Sequence, residues 1–333
     1  LRMLPSPRPG RALRSDRRVL DGSLAKLECV RCGLVRDGSS VAVTSRYYTH
    51  EYRIDTDDHV FHSPRGPVRR SGVFAEWIAE GVAAAGVSAP SRVLEIGAGR
   101  GYLLSELAAR WPGAKCEGRE LGVAAATAAI ARGAQVTQGD TTTLPDASYD
   151  LVYAVAVLEH VPSPTSFIAE MRRLLTPGGC AVLIQPTQDV ASYDVLFVDH
   201  LHHFGSAHLL GYAAKCGFES KYVRVGFNFM PNFSAHVWQV SEAVTDPAWS
   251  GLPVWTCCAR ALTTVVSDMI RLDAAATALR ADGRRFGVFG LHEVFAVVRA
   301  YSALEELGIA FGLDDAPAKP EYRAFPFPVL TPE

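Results

Sequence analysis

Glu95, Gly97, Gly99 and Gly101 alternate in the stretch Val93-Leu94-Glu95-Ile96-Gly97-Ala98-Gly99-Arg100-Gly101. A short apolar run that ends in an acid and opens into glycines can bring a ligand against the main chain, because a Cβ would block both the turn and the approach. The order is E-x-G-x-G-x-G, not the G-x-G-x-x-G that cradles a pyrophosphate. A carboxylate beside the turn repels phosphate and suits a ligand carrying an ammonium or sulfonium group. Further along come Glu120, Asp140 in Gly139-Asp140-Thr141, Leu158-Glu159-His160, and Asp199-His200-Leu201-His202-His203-Phe204. Imidazoles titrate near neutrality and can take a substrate proton, so His200 or His203 is the expected general base or substrate contact. Asp199, directly before His200, is the expected orienting acid.

The elements that must position these residues follow from periodicity. Val93 to Ile96 is a strand, and Tyr102 to Trp111 an amphipathic helix with Leu103, Leu104, Leu107 and Trp111 on one face. Lys115 to Arg119 is a second strand ending at Glu120. Gln135 to Gln138, Tyr149 to Val157 and Cys180 to Gln185 are further strands, with a helix from Thr165 to Leu175 before the last of them. Helices are expected at Gly72 to Gly86 and Ser206 to Cys216, and strands at Glu219 to Val225 and His236 to Val240. Strands alternating with helices predict an open α/β sheet with its ligand at the carboxyl edge. After a helical stretch at 255–280, Arg285 to Phe289, Glu293 to Leu307 and Ile309 to Leu313 read as one βαβ unit ending at Asp314-Asp315. Phe325-Pro326-Phe327-Pro328-Val329 reads as an edge segment, since proline cannot serve a central strand.

A length of 333 residues predicts two domains or one with additions, and 48% apolar with 20% charged residues describes an ordinary globular chain. The net charge of −2 gives no reason to expect nucleic acid or an anionic membrane as partner. No apolar stretch reaches membrane-span length and the first residues lack a signal-peptide core, so a cytoplasmic location is expected. The seven cysteines do not suggest a disulfide framework. Only Cys29 and Cys32, in Cys29-Val30-Arg31-Cys32-Gly33-Leu34, have ligand spacing, that of a zinc-knuckle turn. Two further ligands must come from outside residues 1–45, with His50, His59 and His62 as substitutes that lack knuckle spacing; a half-site without metal is the alternative. Tyr47, Tyr48, His50, Tyr52, His59 and His62 precede the core as either a lid over the ligand or a linker packed on it.

The glycine stretch resembles motif I of the class I methyltransferases that use S-adenosylmethionine (SAM). The resemblance implies a Rossmann-like core over 72–245, with SAM held by Glu95, Gly97, Ala98, Gly99, Gly101, Tyr102, Thr141 and Val155. It also implies ribose hydroxyls on Glu120 and the adenine amino group on Asp140. The whole chain resembles zinc-ribbon-containing C-methyltransferases of nucleotide-linked sugars, through Cys29 to Leu34, Tyr47-Tyr48 with Tyr52, Glu95 to Gly101, Leu158-Glu159-His160, Pro177-Gly178-Gly179 and Asp199-His200. That likeness implies a zinc-ribbon-like segment at 1–45, a lid or linker at 46–71 and a smaller C-terminal Rossmann-like α/β domain at 255–333. It makes a nucleotide-linked keto sugar the expected small-molecule substrate, with a histidine base and Tyr48 or His50 next in line. The chain departs from the family in lacking the first cysteine pair, in Asp199 for Glu, and in Gly287-Val288-Phe289-Gly290-Leu291-His292-Glu293 where a phosphate loop belongs. The competing expectations are O- or N-methylation of a natural-product intermediate, and a zinc-ribbon binding protein keeping the SAM fold as scaffold.

Overall fold

The computed structural model describes residues 1–39, 46–52, 58–87, 89–226, 229–241, 257–291, 293–315, 322–323 and 325–332. The expected boundaries at 45, 245 and 255, and His292, lie outside the described residues.

Seven strands form the central sheet: β1 (Arg92–Ile96), β2 (Lys115–Glu120), β3 (Val136–Gln138), β4 (Tyr149–Val155), β5 (Leu175–Pro186), β6 (Phe218–Val225) and β7 (Phe233–Val240). Their order is β3-β2-β1-β4-β5-β7-β6. The first five run parallel, while β7 lies antiparallel to both β5 and β6. Strand order reverses between β1 and β4, and a crevice at such a switch point is where open α/β sheets take their ligands.

Helices α1 (Arg70–Ala84), α2 (Tyr102–Arg110) and α3 (Val123–Ala131) cover one face, and α4 (Pro164–Leu174) and α5 (Ser206–Lys215) the other. Alternating strand residues feed the two cores: Val182, Ile184 and Val237 face α1 and α2, whereas Ala181, Leu183 and Trp238 face α4 and α5. Ser163 caps α4 by accepting from the Ser166 N–H, and Pro164 starts it without losing a bonded N–H.

Two elements of the central sheet and its helices depart most from expectation, and the helix expected at Glu293 to Leu307 ends at Tyr301. Helix α3 was not anticipated, because an alanine-rich surface helix shows weak apolar contrast. Strand β5 begins at Leu175, five residues early: Tyr149 pairs with Leu175 and Leu151 with Cys180, so Thr176–Gly179 bulges out of the ladder.

The N-terminal segment does not stand as a separate ribbon. A small sheet runs in the order Arg2–Met3, Lys26–Glu28, Val35–Asp37, His202–His203, so its last strand comes from the loop after β5. Leu4, Leu13, Leu24 and Val35 share a core with Val195 to Val198, with α6 (Cys257–Ala281) and with α7 (Glu293–Tyr301). Tyr301 donates to the Leu196 carbonyl at 2.8 Å. A parallel sheet of β8 (Gly287–Phe289), β9 (Phe311–Leu313) and β10 (Val329–Leu330) completes the C-terminal part, with β10 at an edge as the prolines require.

Candidate active site

The glycine turn after β1 takes the form its sequence demands. Gly97, Gly99 and Gly101 have φ of +77°, +53° and +74°, the left-handed region that L side chains avoid. A Cβ on Gly97 would lie 2.5 Å from Val157 Cγ2, so the turn and the loop after β4 touch. Ala156, at φ +53°, is strained in that same loop.

Glu95 does not face a ligand. It is 3% exposed and accepts a 3.0 Å bond from the Tyr153 hydroxyl. Burial holds its carboxyl well above the usual carboxylate range. Its burial against Tyr153 leaves it little surface for the expected contact with a cationic ligand.

Glu120 instead reaches the turn: its carboxylate accepts from the Gly99 N–H at 2.7 Å and from the Gly122 N–H at 2.6 Å. Asp140 is exposed at the end of β3, and Thr142 supplies its N–H at 3.0 Å and its hydroxyl at 2.6 Å. Thr141 turns away from the expected cofactor edge to bond Glu170 of α4 at 2.8 Å. Tyr102 opens α2 with Arg132 stacked 3.7 Å from its ring centroid. Ala98 is buried in the turn, and Val155 ends β4 half-buried. The half-buried glycine turn, with carboxylates at the ends of β2 and β3, fits the amino-acid, ribose and adenine parts of SAM.

Beyond β4 and β5 lies a second constellation. His200 Nδ1 pairs with Asp194 Oδ1, and His203 Nδ1 donates to Asp194 Oδ2 at 2.8 Å. The orienting acid is therefore Asp194, six positions upstream on the helical turn Tyr193–Leu196, and not Asp199. Asp199 accepts from the Ser15 N–H at 2.8 Å and the Ser15 hydroxyl at 2.6 Å. Adjacent residues rarely point at one another, so the acid nearest in sequence was the wrong choice.

His160 stands edge-on to His200, with ring centroids 4.7 Å apart. Its Nδ1 lies 2.9 Å from both the Asp199 carbonyl and the Tyr48 hydroxyl. A carbonyl only accepts, so Nδ1 carries the hydrogen and Nε2 presents a lone pair. Tyr48 belongs to one wide helical turn, Tyr47–Glu51, and its carbonyl comes 3.4 Å from where a Gly122 Cβ would sit. That turn thus spans from the Glu120 edge to His160, with Tyr47, Tyr48 and Tyr52 packed at 4.9–5.6 Å. Burial raises the Tyr48 phenol far above its usual range, and its contact with His160 Nδ1 places it to position that ring.

The two facing imidazoles hold opposite charge states. For His160, burial and then the His200 charge depress the pKa to about 4. For His200, burial opposes the charged form, but Asp194, Asp199 and Glu159 prevail and push it up to about 9. The same pairing holds Asp194 well below the carboxylate range despite its burial. His203 is only 2% exposed, and burial and then Lys26 hold it down at about 4. Its ring bonds the other oxygen of Asp194, with a centroid 6.2 Å from that of His200.

Glu159 is 2% exposed, with its Oε2 lacking a hydrogen-bond partner, and burial pushes its pKa up to about 7. Glu159, His160 and His200 offer ligand atoms within 4.8 Å of one another, the one such group among the described residues. A metal there would have to displace the His200 proton. Cys29 and Cys32 do adopt a knuckle turn: the Cys29 N–H donates to the Leu34 carbonyl and the Gly33 N–H to the Cys29 carbonyl, each at 2.8 Å. Backbone N–H groups of Cys32 and Arg31 lower the Cys29 thiol pKa. No third ligand joins them among the described residues, and His50, His59 and His62 belong to no ligand group there.

Sequence reasoning missed Asp194, Ser15 and Lys26 entirely; His160 was legible only as part of Leu158-Glu159-His160.

Residues 70–223, a little under half the chain, match the family profile of a methyltransferase domain. The trans-aconitate 2-methyltransferase of Methylobacterium nodulans is 34% identical over 103 residues, 30% of this chain and 40% of that protein. The ubiquinone biosynthesis O-methyltransferase of Pseudomonas savastanoi pv. phaseolicola is 35% identical over 112 residues, 31% of this chain and 46% of that protein. A SAM-dependent methyltransferase from Mesorhizobium loti superposes with a TM-score of 0.41 at 20% identity, covering 50% of this chain and 97% of that one. Residues 70–223 are thus a class I SAM-dependent methyltransferase domain, and SAM is its cofactor. The chain spans less than half the length of those two curated relatives. No described helix is long and apolar enough to cross a membrane.

Proposed function

We propose that the chain methylates a small molecule at a carbon beside a carbonyl, with a nucleotide-linked keto sugar as the acceptor that the sequence resemblance favours. One observation carries the reading: His160 and His200 face each other with ring centroids 4.7 Å apart, burial lowering the pKa of the first and carboxylates raising that of the second. Pairs of titratable groups driven to opposite protonation states mark acid and base assignments. Methylation at carbon needs both, whereas methylation at oxygen needs only a base.

Held at the Gly97–Gly101 turn and Glu120, SAM would supply an electrophilic methyl group with a neutral thioether as the leaving group. His160 Nε2 removes the proton from the acceptor carbon, and the C–H electron pair passes into the enolate. His200 Nε2–H donates to the developing oxyanion, where a fixed cationic donor in a dry site is most effective. Asp194 keeps that donor charged, and the Asp199 carbonyl and Tyr48 hold the His160 tautomer. The enolate carbon then takes the methyl group, and the His160 proton returns to solvent. The Tyr47–Glu51 turn serves as the lid between cofactor and acceptor. The sheet β8–β10 is the part that the resemblance assigns to the nucleotide.

The names of the relatives favour a second reading, O-methylation of a hydroxyl or carboxylic acid. Incubation with methyl-labelled SAM and a panel of keto-sugar nucleotides, hydroxy acids and carboxylic acids separates the two by NMR of the new methyl group. A product labelled only at oxygen overturns carbon methylation. A further check is exchange of the acceptor's α-hydrogen into solvent without transfer, which the enolate route requires.

A further inference from the structure

Lys26 is a lysine with 1% exposure, sited on a short N-terminal strand far in sequence from the glycine turn and the histidine cluster. A buried ammonium is costly unless it is paired; burial lowers the Lys26 pKa, and the Asp37 carboxylate opposes that loss of charge. Nζ donates to the Phe197 carbonyl at 2.7 Å and to the His200 carbonyl at 2.8 Å, and lies 3.3 Å from Asp37 Oδ1. Two of these are main-chain atoms of the turn that carries His200. The neighbouring strand tightens the same grip: Val35 and Arg36 pair with His203 and His202, and the Asp37 N–H donates to the Leu201 carbonyl at 2.8 Å.

Asp194 poses a problem that Lys26 answers. Its two oxygens bond two imidazoles, His200 and His203, through equivalent Nδ1 atoms. One proton beyond the neutral count can reside on either ring, but only His200 adjoins His160. Around the two rings stand Asp194 and Asp199 from the post-β5 loop, Glu159 and His160 from the loop after β4, and Lys26 with Asp37 from the N-terminal strands. Arg36 faces the intervening His202. Lys26 bears on His203 as the largest opposing charge, whereas the charges that bear most on His200 are carboxylates.

We propose that Lys26 is a positioning residue that anchors the His200 main chain and, by its charge beside His203, directs the proton shared through Asp194 onto His200. The proposal rests on the proposed function for its catalytic consequence, but the placement of the proton does not. On this view the N-terminal segment is the wall that sets up the acceptor side.

The test is an imidazole 15N NMR titration of the full chain with S-adenosylhomocysteine, comparing the parent with Lys26→Met, Lys26→Gln and Lys26→Arg. The His203 midpoint should rise by about one unit or more and that of His200 should fall in Lys26→Met. Lys26→Arg should keep the parent partition. Lys26→Gln can still donate to the carbonyls but has no charge, so the His203 rise must appear there too, and this variant stands in if Lys26→Met does not fold. Turnover at neutral pH should drop about tenfold in Lys26→Met with acceptor KM little changed. Adding His203→Asn, which keeps a donor to Asp194 but holds no proton, should restore part of kcat and the alkaline limb of the pH profile. Unchanged His200 and His203 midpoints in folded Lys26→Gln overturn the proposal. Shifted midpoints with methylation only at oxygen uphold the proton placement and overturn the carbon-methylation reading instead.

Discussion

Replacing Asp194 by Asn should move the alkaline limb of the kcat/KM profile. In the parent, His200 is held at about 9 against an ordinary value of 6.5, with burial opposing the charge and Asp194 the largest contribution in its favour. Without that carboxylate, burial prevails and the imidazole should titrate near or below its ordinary value. A displacement of roughly two units or more corresponds to about 3 kcal/mol. At pH 7.5 the protonated fraction of His200 should fall from nearly all to about one tenth. Loss of the donor alone then lowers kcat/KM about tenfold, and loss of ring orientation brings the total toward roughly 100-fold. SAM affinity by calorimetry should stay near that of the parent, since Glu120 and the glycine turn are untouched. Stability carries a second signature. A histidine with a raised folded-state pKa contributes fully below its unfolded value of 6.5, and that contribution is lost as pH rises through about 9. Asp194→Asn should therefore be least stable relative to the parent between about pH 4 and 6.5, and converge on it above about pH 9. Asp199→Asn is the comparison: it keeps an acceptor for the Ser15 N–H and, because Asp199 is the lesser carboxylate acting on His200, should move the limb less than Asp194→Asn does. If the limb stays near its parent value in folded Asp194→Asn, or moves instead in Asp199→Asn, the dyad assignment is wrong.

Glu120→Ala removes the acceptor that spans Gly99 and Gly122; SAM binding by calorimetry should weaken by roughly 1–3 kcal/mol, and unchanged affinity would remove Glu120 from the cofactor site. His160→Ala should lower kcat about 100-fold with SAM affinity retained, and it should abolish exchange of the acceptor α-hydrogen; full exchange would pass the base to another group. Gly97→Ala places a Cβ 2.5 Å from Val157 Cγ2 at φ +77°, so clash and backbone strain together should lower the unfolding free energy, by roughly 1–3 kcal/mol from strain alone, with Tm falling accordingly. Gly97→Ala with Val157→Ala should recover only the clash, and full recovery would deny the strain.

The core was legible in the chain itself because it depends on local signals. Apolar runs ending at Glu95, Glu120 and Asp140 mark strand ends, and three left-handed glycines mark the turn that only glycine can make. Helix α3 escaped because alanine at nearly every position gives little contrast between faces. The β5 bulge escaped because Thr176-Pro177-Gly178-Gly179 signals a helix stop and says nothing about which strand the next residues join.

The acceptor side was legible only as residue types. A histidine cluster after β5 announces acid–base chemistry, yet which acid serves which imidazole depends on distances between loops that no spacing rule encodes. Asp199 is adjacent to His200 in sequence and bonds Ser15, while Asp194 bonds both His200 and His203. The N-terminal cysteine pair left a zinc-knuckle turn and a half-site without metal both open; the fold uses that segment as a strand partner and a buried lysine against the loop after β5. The sequence by itself determined the sheet, the glycine turn and the cofactor it suits, since each arises from the steric and periodic properties of neighbouring residues. Only the tertiary structure decided where the proton resides, because a histidine's charge is set by the burial and the carboxylates around it, and these come from segments far apart in the chain.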